Sequence, residues 1–138
     1  MRLVTLFISS FLFFCSVLSP PTPASESKKH PLVKELDACL NAQPGTTTER
    51  YCVNRMIPKW EARMQDYYQR LGGDQNKSLK IAQEQWLTYR KHQEAYLLQK
   101  YHMDGTLYLL LASIERMELV KERALALEAD YEFLKMHS

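Results

Sequence analysis

The sequence predicts an all-α protein, a small antiparallel bundle of three long helices plus a short, disulfide-tethered N-terminal helix. Apolar residues recur three and four positions apart over long stretches, which is the spacing of one helix face. Helix-breaking residues are concentrated in a few short segments such as LGGDQN and MDGT. No strand-like alternation competes with this pattern, and 138 residues suit a single domain.

Residues 1–24 are predicted to be a signal peptide. Arg2 gives a basic start, the apolar run LVTLFISSFLFFCSVL has the length of a signal core, and PPTPAS follows. Thr22 and Ala24 occupy the −3 and −1 positions of a small-residue cleavage site. We therefore expect Ser25 to be the first residue of the exported protein.

Two alternatives to cleavage are less well supported by the sequence. An uncleaved membrane anchor would need a longer apolar run. Lipidation at Cys15 is disfavoured because the bulky Phe13 and Phe14 precede it. We therefore expect residues 25–138 to form one periplasmic or secreted domain, which meets the membrane only through the signal during export.

Export leaves two cysteines, Cys39 and Cys52, in a compartment where disulfides persist. Pro44 and Gly45 between them predict a turn. A redox-active thiol pair is the alternative, but such pairs are usually separated by two residues. A structural bridge is therefore predicted.

The first two helices follow from local signals. A short helix fits PLVKELDACLNA, with Pro31 in the first turn. Thr46 and Glu49 have the spacing of a capping box that opens the second helix, and Pro58 predicts a kink or a restart within it. The apolar stripe of the second helix is Cys52, Met56, Trp60, Met64, Tyr67 and Leu71.

The third helix is predicted from Lys77 to about Tyr101, and the fourth from Thr106 to as far as Met136. Before the third helix, Gly72 or Gly73 is expected to end the second helix, and Asp74 or Asn76 to cap the third. The a/d-like stripe assigned to the third helix is Leu79, Ala82, Trp86, Tyr89, Gln93 and Tyr96.

Composition and motifs argue against several classes of function. The net charge is +2, and no run of basic residues predicts nucleic-acid binding. No phosphate loop, serine elbow or zinc spacing is present. No catalytic residue, metal site or cofactor is predicted, and a non-enzyme is favoured. The four histidines are scattered along the chain: His30, His92, His102 and His137.

One helical face poses the main question. Gln83, Trp86 and Arg90 lie within about 60° of one another on a helix and share their face with Leu79 and Leu97. An amide and a guanidinium are costly to bury without partners. The face therefore either makes polar contacts that hold the helices of the bundle together or forms a recognition surface.

The sequence resembles the LprI-like family of small exported bacterial domains over roughly residues 36–128. TTTERYC matches the family's threonine-rich approach to a cysteine. The most specific match is the Leu-x-x-Ala-Gln-x-x-Trp-x-x-Tyr-Arg motif, and weaker matches surround it. The matching residues are Leu79, Ala82, Gln83, Trp86, Tyr89 and Arg90; Met64, Gln65, Tyr68 and Leu71; and Gly105, Leu119 and Arg123, with Val120 in place of a threonine.

The resemblance implies an exported envelope protein that binds a protein partner and, from the family's name, a lysozyme inhibitor. The alternative is a non-catalytic structural or accessory envelope domain that binds a protein or peptide in a helical groove. Many family members have a second cysteine pair, and Glu94 and Glu115 stand at those positions here. The net charge of +1 without residues 1–24 offers no general attraction to a basic lysozyme.

The two interpretations of the motif predict different contacts. As a scaffold, Trp86 fills the core, Gln83 bonds to a loop or helix-end backbone, and Arg90 pairs with a carboxylate on a neighbouring helix. As a recognition surface, Gln83, Tyr89, Arg90 and Arg123 line a groove that grips a partner, since arginine and aromatic residues are favoured anchors.

Overall fold

A computed structural model describes residues 29–42 and 44–138, and this part of the chain forms four α-helices and no strand. The helices are α1 (Pro31–Ala42), α2 (Thr46–Arg70), α3 (Lys77–Lys100) and α4 (Thr106–Met136), with a 3₁₀ turn at Gly73–Gln75. The all-α prediction is confirmed. The predicted signal peptide and its cleavage site lie outside the described residues.

The core lies mainly between α2 and α4. Contacts of Arg63 with Glu128, and a groove shared by Val53 and Leu110, show that these two helices run in the same direction. The helix α3 runs antiparallel to both, as the short α2–α3 and α3–α4 connections require. The buried apolar residues of the pair are Val53, Met56, Trp60, Met64, Tyr67 and Tyr68 on α2, and Leu110, Met117, Val120, Ala124 and Leu127 on α4.

The predicted bridge is present, with Cys39 of α1 bonded to Cys52 of α2 across a Cα–Cα distance of 5.8 Å. No residue of α1 is fully buried. Leu32, Val33 and Leu36 are half-buried against the α2–α4 core. The short helix is therefore held by a covalent tether together with a modest apolar contact.

The beginning of α2 differs from the predicted capping box. Gly45 is the N-cap residue, and no side chain caps the helix. Thr46 is already helical, and the Glu49 amide donates to the Gly45 carbonyl at 2.8 Å. Gly45 has a φ of 138°, a conformation that favours glycine, so the helix begins one residue earlier than the capping-box spacing predicts.

The helix α2 continues through Pro58 without a break, so the predicted restart does not occur. Proline removes the amide that would bond to the carbonyl of Asn54. Both residues are exposed, and water can therefore satisfy that carbonyl. The tertiary packing of Met56 and Trp60, both almost fully buried, holds the two halves in one helix.

The junction between α2 and α3 matches the prediction closely. Gly72 follows the last turn of α2 with a left-handed φ of 102°, which is the usual glycine position after a helix. Asn76 caps α3, and its side-chain oxygen accepts from the Leu79 amide at 3.2 Å. The chain therefore reverses within a few residues.

The stripe assigned to α3 is partly wrong. Tyr89 and Tyr96 are 53% and 54% exposed, and Ala82 is also exposed. The inward face is instead the one that carries Gln83, Trp86 and Arg90 together with Leu79 and Leu97. Only Gln83 and Leu97 of α3 are fully buried, because α2 and α4 already cover much of each other's apolar surface.

None of the helices in the described residues is long and apolar enough to cross a membrane.

Candidate functional site

Four of the five singled-out residues meet where α3 contacts the α2–α4 pair. Gln83 is 6% exposed, and Trp86, Arg90 and Arg123 are half-buried. Tyr89 is different, because it lies at the edge of this inward face and is 53% exposed. The structure thus separates one member of the motif from the others.

Arg90 links two helices through carboxylates. Its Nη2 donates to Glu61 of α2 at 2.5 Å, and its Nε donates to Glu94 at 2.9 Å. The guanidinium also lies 5.9 Å from the centre of the Trp86 ring. Burial acts to lower the pKa of Arg90, but the hydrogen bonds to Glu94 and Glu61 outweigh it and the pKa is raised.

Gln83 contacts side chains and not the backbone that the scaffold interpretation expected. Its Oε1 accepts from Nε of Arg123 on α4 at 3.0 Å, and its Nε2 lies 3.5 Å from the Met64 sulfur on α2. Burial lowers the pKa of Arg123. The Arg123 Nη2 atom is buried and has no hydrogen-bond partner among the described residues.

Trp86 packs against the core without filling it, since it is half-buried and lies at the edge of the apolar cluster. The tryptophan at the centre of the core is Trp60, which is 1% exposed. Trp86 therefore supports Arg90 from one side, while Gln83 and Arg90 each reach a different helix. The resulting contacts attach α3 to both of its neighbours.

The two glutamates singled out by the resemblance, Glu94 and Glu115, each have a cationic partner. Glu94 pairs with Arg90. Glu115 of α4 accepts from Lys100 at 2.6 Å and also from Tyr101, and these bonds lower its pKa. An ion pair and a hydrogen bond from a phenol therefore join the C-terminal end of α3 to α4.

A second polar cluster, missed by the sequence analysis, lies between α1, α2 and α4. Glu128 accepts from Arg63 at 2.9 and 2.5 Å and from Tyr67 at 3.2 Å. His30 stacks on Trp60 at 4.7 Å, with its Nε2 3.8 Å from Glu128. The partners are up to 98 positions apart in sequence, so no local spacing could reveal them.

Two grooves flank α4, and the sequence analysis did not identify them either. One lies between α1, α2 and α4 and is mostly apolar. The other lies between α3 and α4, has Tyr89 as a wall and carries three glutamates, Glu115, Glu118 and Glu122. Their three- and four-residue spacing was a detectable signal, because it places three carboxylates along one strip of a helix.

The described residues contain no group of three histidine, cysteine or acidic side chains that could hold a metal ion. The ion pairs and amide contacts at the α3 interface hold this helix in position against α2 and α4. Tyr89 and the grooves beside α4 are exposed to solvent.

Comparison with known proteins gives one match. The family model described as "Lysozyme inhibitor LprI" matches residues 39–127, more than half of the chain. The matched region begins at the first bridged cysteine and includes Gln83, Trp86, Tyr89, Arg90 and Arg123. No curated protein and no solved structure matches the chain. The protein belongs to the LprI lysozyme inhibitor family.

Proposed function

We propose that this protein is exported to the periplasm or secreted, where it binds a lysozyme and blocks cleavage of the cell-wall glycan. The family match over residues 39–127 carries the proposal. A non-catalytic role is part of it, because a protein inhibitor acts by occupying its enzyme. The bridge between Cys39 and Cys52 is consistent with export, since disulfides persist in oxidising compartments.

The proposal assigns different roles to the motif residues. Gln83, Trp86, Arg90 and Arg123 hold α3 in place through the contacts to Glu61, Met64 and one another. Tyr89 is exposed and available to a partner. The scaffold and the recognition interpretations then apply to different residues of one motif.

A turbidity assay tests this function. The purified, oxidised protein is mixed with lysozymes of several structural types, and the rate of lysis of a cell-wall suspension is measured. We expect a concentration-dependent fall in the rate for at least one lysozyme. No effect on any of them at protein concentrations far above the enzyme would refute the proposal.

A second enzyme serves as the control. An amidase that cuts the peptide part of the same wall should keep its rate in the presence of the protein. If lysozyme and amidase slow down equally, the protein covers the wall and does not inhibit the enzyme.

The second candidate is an accessory envelope domain that holds a protein or peptide in a groove. The apolar groove between α1, α2 and α4 favours it, since Leu36, Leu40 and Ile114 line a space open to solvent. Capture from an envelope extract, followed by identification of the bound proteins, separates the candidates. A single non-lysozyme partner recovered in stoichiometric amount would favour this second function.

A further inference from the structure

One groove lies on the α1 side of α4 and another on its α3 side. Glu118 of α4 lines both of these grooves. The two grooves are therefore adjacent, and we call the surface that includes both of them the α4 face. It consists of the strip of α4 around Glu118, the apolar groove on its α1 side and the acidic groove on its α3 side.

The apolar groove has a volume of about 300 Å³. Its walls come from three helices, and the charged residues that line it are both acidic, Glu49 and Glu118. Its apolar lining is Leu36, Leu40, Val53, Leu110, Ile114 and Met117. An apolar side chain with a basic neighbour fits such a groove, because it removes apolar surface from water beside a complementary charge.

The acidic groove has a volume of about 200 Å³ and an apolar floor that includes Leu97, which is 1% exposed. Tyr89 forms part of its α3 wall. Glu115 pairs with Lys100 and Glu118 with Lys121. Glu122 is exposed and makes no ion pair among the described residues. The groove therefore combines an aromatic wall, an apolar floor and an excess of negative charge.

Charge distinguishes this surface from other grooves on the described part of the chain. The groove between α2 and α3 has Lys80 beside Asp74 and Glu84. A second groove between α3 and α4 has Lys91 and Arg116 beside Glu94, and the groove at the disulfide has Arg55 beside Glu35. Those three contain both signs in their linings. The charged residues that line the two grooves of the α4 face are all acidic, and the lysines that pair with Glu115 and Glu118 lie outside the lining.

We propose that the α4 face is the surface that contacts the lysozyme, and that the partner is a basic lysozyme whose lysine or arginine side chains meet Glu118 and Glu122 while Tyr89 packs beside them. This inference rests on the proposed function. The net charge of the whole chain, +2, conceals a local acidic surface. Local complementarity steers association and fixes register even when the net charge is small.

Paired variants test the assignment. The double variant Glu118→Gln/Glu122→Gln removes two charges from the α4 face, and Asp130→Asn/Glu132→Gln removes two from exposed positions near the end of the same helix. The inhibition constant for the lysozyme that the wild type inhibits is measured at low and high salt. We expect about a tenfold loss of inhibition for the first variant at low salt and less than about a twofold change for the second.

The aromatic wall has an equally matched control. Tyr89→Ala and Tyr96→Ala truncate two tyrosines of nearly equal exposure, 53% and 54%, seven positions apart on α3. Of these two tyrosines, Tyr89 lines the acidic groove and Tyr96 does not. We expect about a tenfold weaker inhibition for Tyr89→Ala and less than about a twofold change for Tyr96→Ala. Thermal melts of all variants identify any loss caused by unfolding.

The outcomes separate the two proposals. If the wild type inhibits a lysozyme and both α4-face variants retain full inhibition while folded, the surface assignment is wrong and the function stands. If the wild type inhibits no lysozyme, the function fails and the surface assignment falls with it. Sedimentation of the wild type alone adds a third outcome. A dimer that the same two variants dissociate would assign the face to a second copy of the chain and overturn the inference.

Discussion

Polar side chains can turn inward on α3 because each of them meets a partner that its own helix does not supply. Arg90 reaches Glu61, and Gln83 lies between Arg123 and Met64. An inward amide or guanidinium is costly only when its hydrogen bonds are left unmade. The same residues that look anomalous in the sequence thus become the contacts that fix the position of the helix.

Replacing Arg90 by alanine should destabilise the protein. The change leaves the carboxylates of Glu61 and Glu94 without their shared cation and removes the contact with Trp86. We expect the free energy of unfolding to fall by about 1–3 kcal/mol, the cost of stranding partly buried polar groups. Urea unfolding at pH 7 measures this, with Lys91→Ala, an exposed neighbour on the same helix, as the control. If Arg90→Ala is as stable as Lys91→Ala, the contacts of Arg90 do not stabilise the packing of α3.

The stability should fall in acid. Hydrogen bonding from Arg63 lowers the pKa of Glu128 from its ordinary 4.5, so its contribution is complete above pH 4.5 and is lost as the pH falls through the lowered folded pKa. Burial lowers the pKa of His30 from 6.5. Protonation therefore favours the unfolded chain as the pH falls below 6.5. Both groups therefore lower the free energy of unfolding as the pH falls.

Unfolding by urea between pH 8 and pH 3 checks this dependence. Glu128→Gln should be less stable than the wild type at pH 7 and should lose less stability between pH 5 and pH 3. If the free energy of unfolding falls equally for the two proteins between pH 5 and pH 3, Glu128 does not contribute to the loss of stability in acid.

At the scale of the helices, the covalent tether of α1 should matter more than its packing. No residue of α1 is fully buried, whereas Cys52 is 1% exposed in α2. Replacing both Cys39 and Cys52 by serine should lower the free energy of unfolding by about 3 kcal/mol, because the unfolded chain regains the entropy that closure of a short loop removes. Amide exchange in α1 should accelerate much more than in the middle of α2.

Hydrogen exchange read residue by residue provides that measurement, and labelling of the denatured, unreduced wild type checks the bridge itself. Neither cysteine of the exported wild type should react with a thiol reagent. Unchanged exchange in α1 of the double serine variant would mean that Leu32, Val33 and Leu36 hold the helix without the bridge.

The helices and their ends were largely predictable, since they depend on local signals such as Asn76 before α3 and the glycine after α2. The inward face of α3 was predicted in two incompatible ways. The stripe with Ala82, Tyr89 and Tyr96 favoured apolar residues, but the true face includes Gln83 and Arg90. Which face turns inward depends on partners such as Glu61 and Arg123, and their positions are set by tertiary packing that a single helix does not encode.

At the scale of the whole molecule, the distribution of charge is more informative than its sum. The chain has 18 basic and 16 acidic residues, which predicts no strong attraction to a basic or an acidic partner. Folding places Glu49, Glu118 and Glu122 around neighbouring grooves. The three- and four-residue spacing of the glutamates on α4 is visible in the sequence. The grooves of the α4 face, however, exist only because α1 and α3 pack on either side of that helix.

Export is the property on which the proposed function depends for access to a partner, and it makes a prediction about the whole chain. Thr22 and Ala24 are small residues at the −3 and −1 positions, so cleavage should occur before Ser25. Intact mass measurement of the protein from the periplasm or medium should give a chain that begins at Ser25, give or take a few residues. Ala24→Tyr should block that cleavage and leave a longer, membrane-retained form, whereas Glu26→Gln, just beyond the site, should be processed as the wild type is. Recovery of the exported wild type with Met1 intact would contradict the signal-peptide assignment.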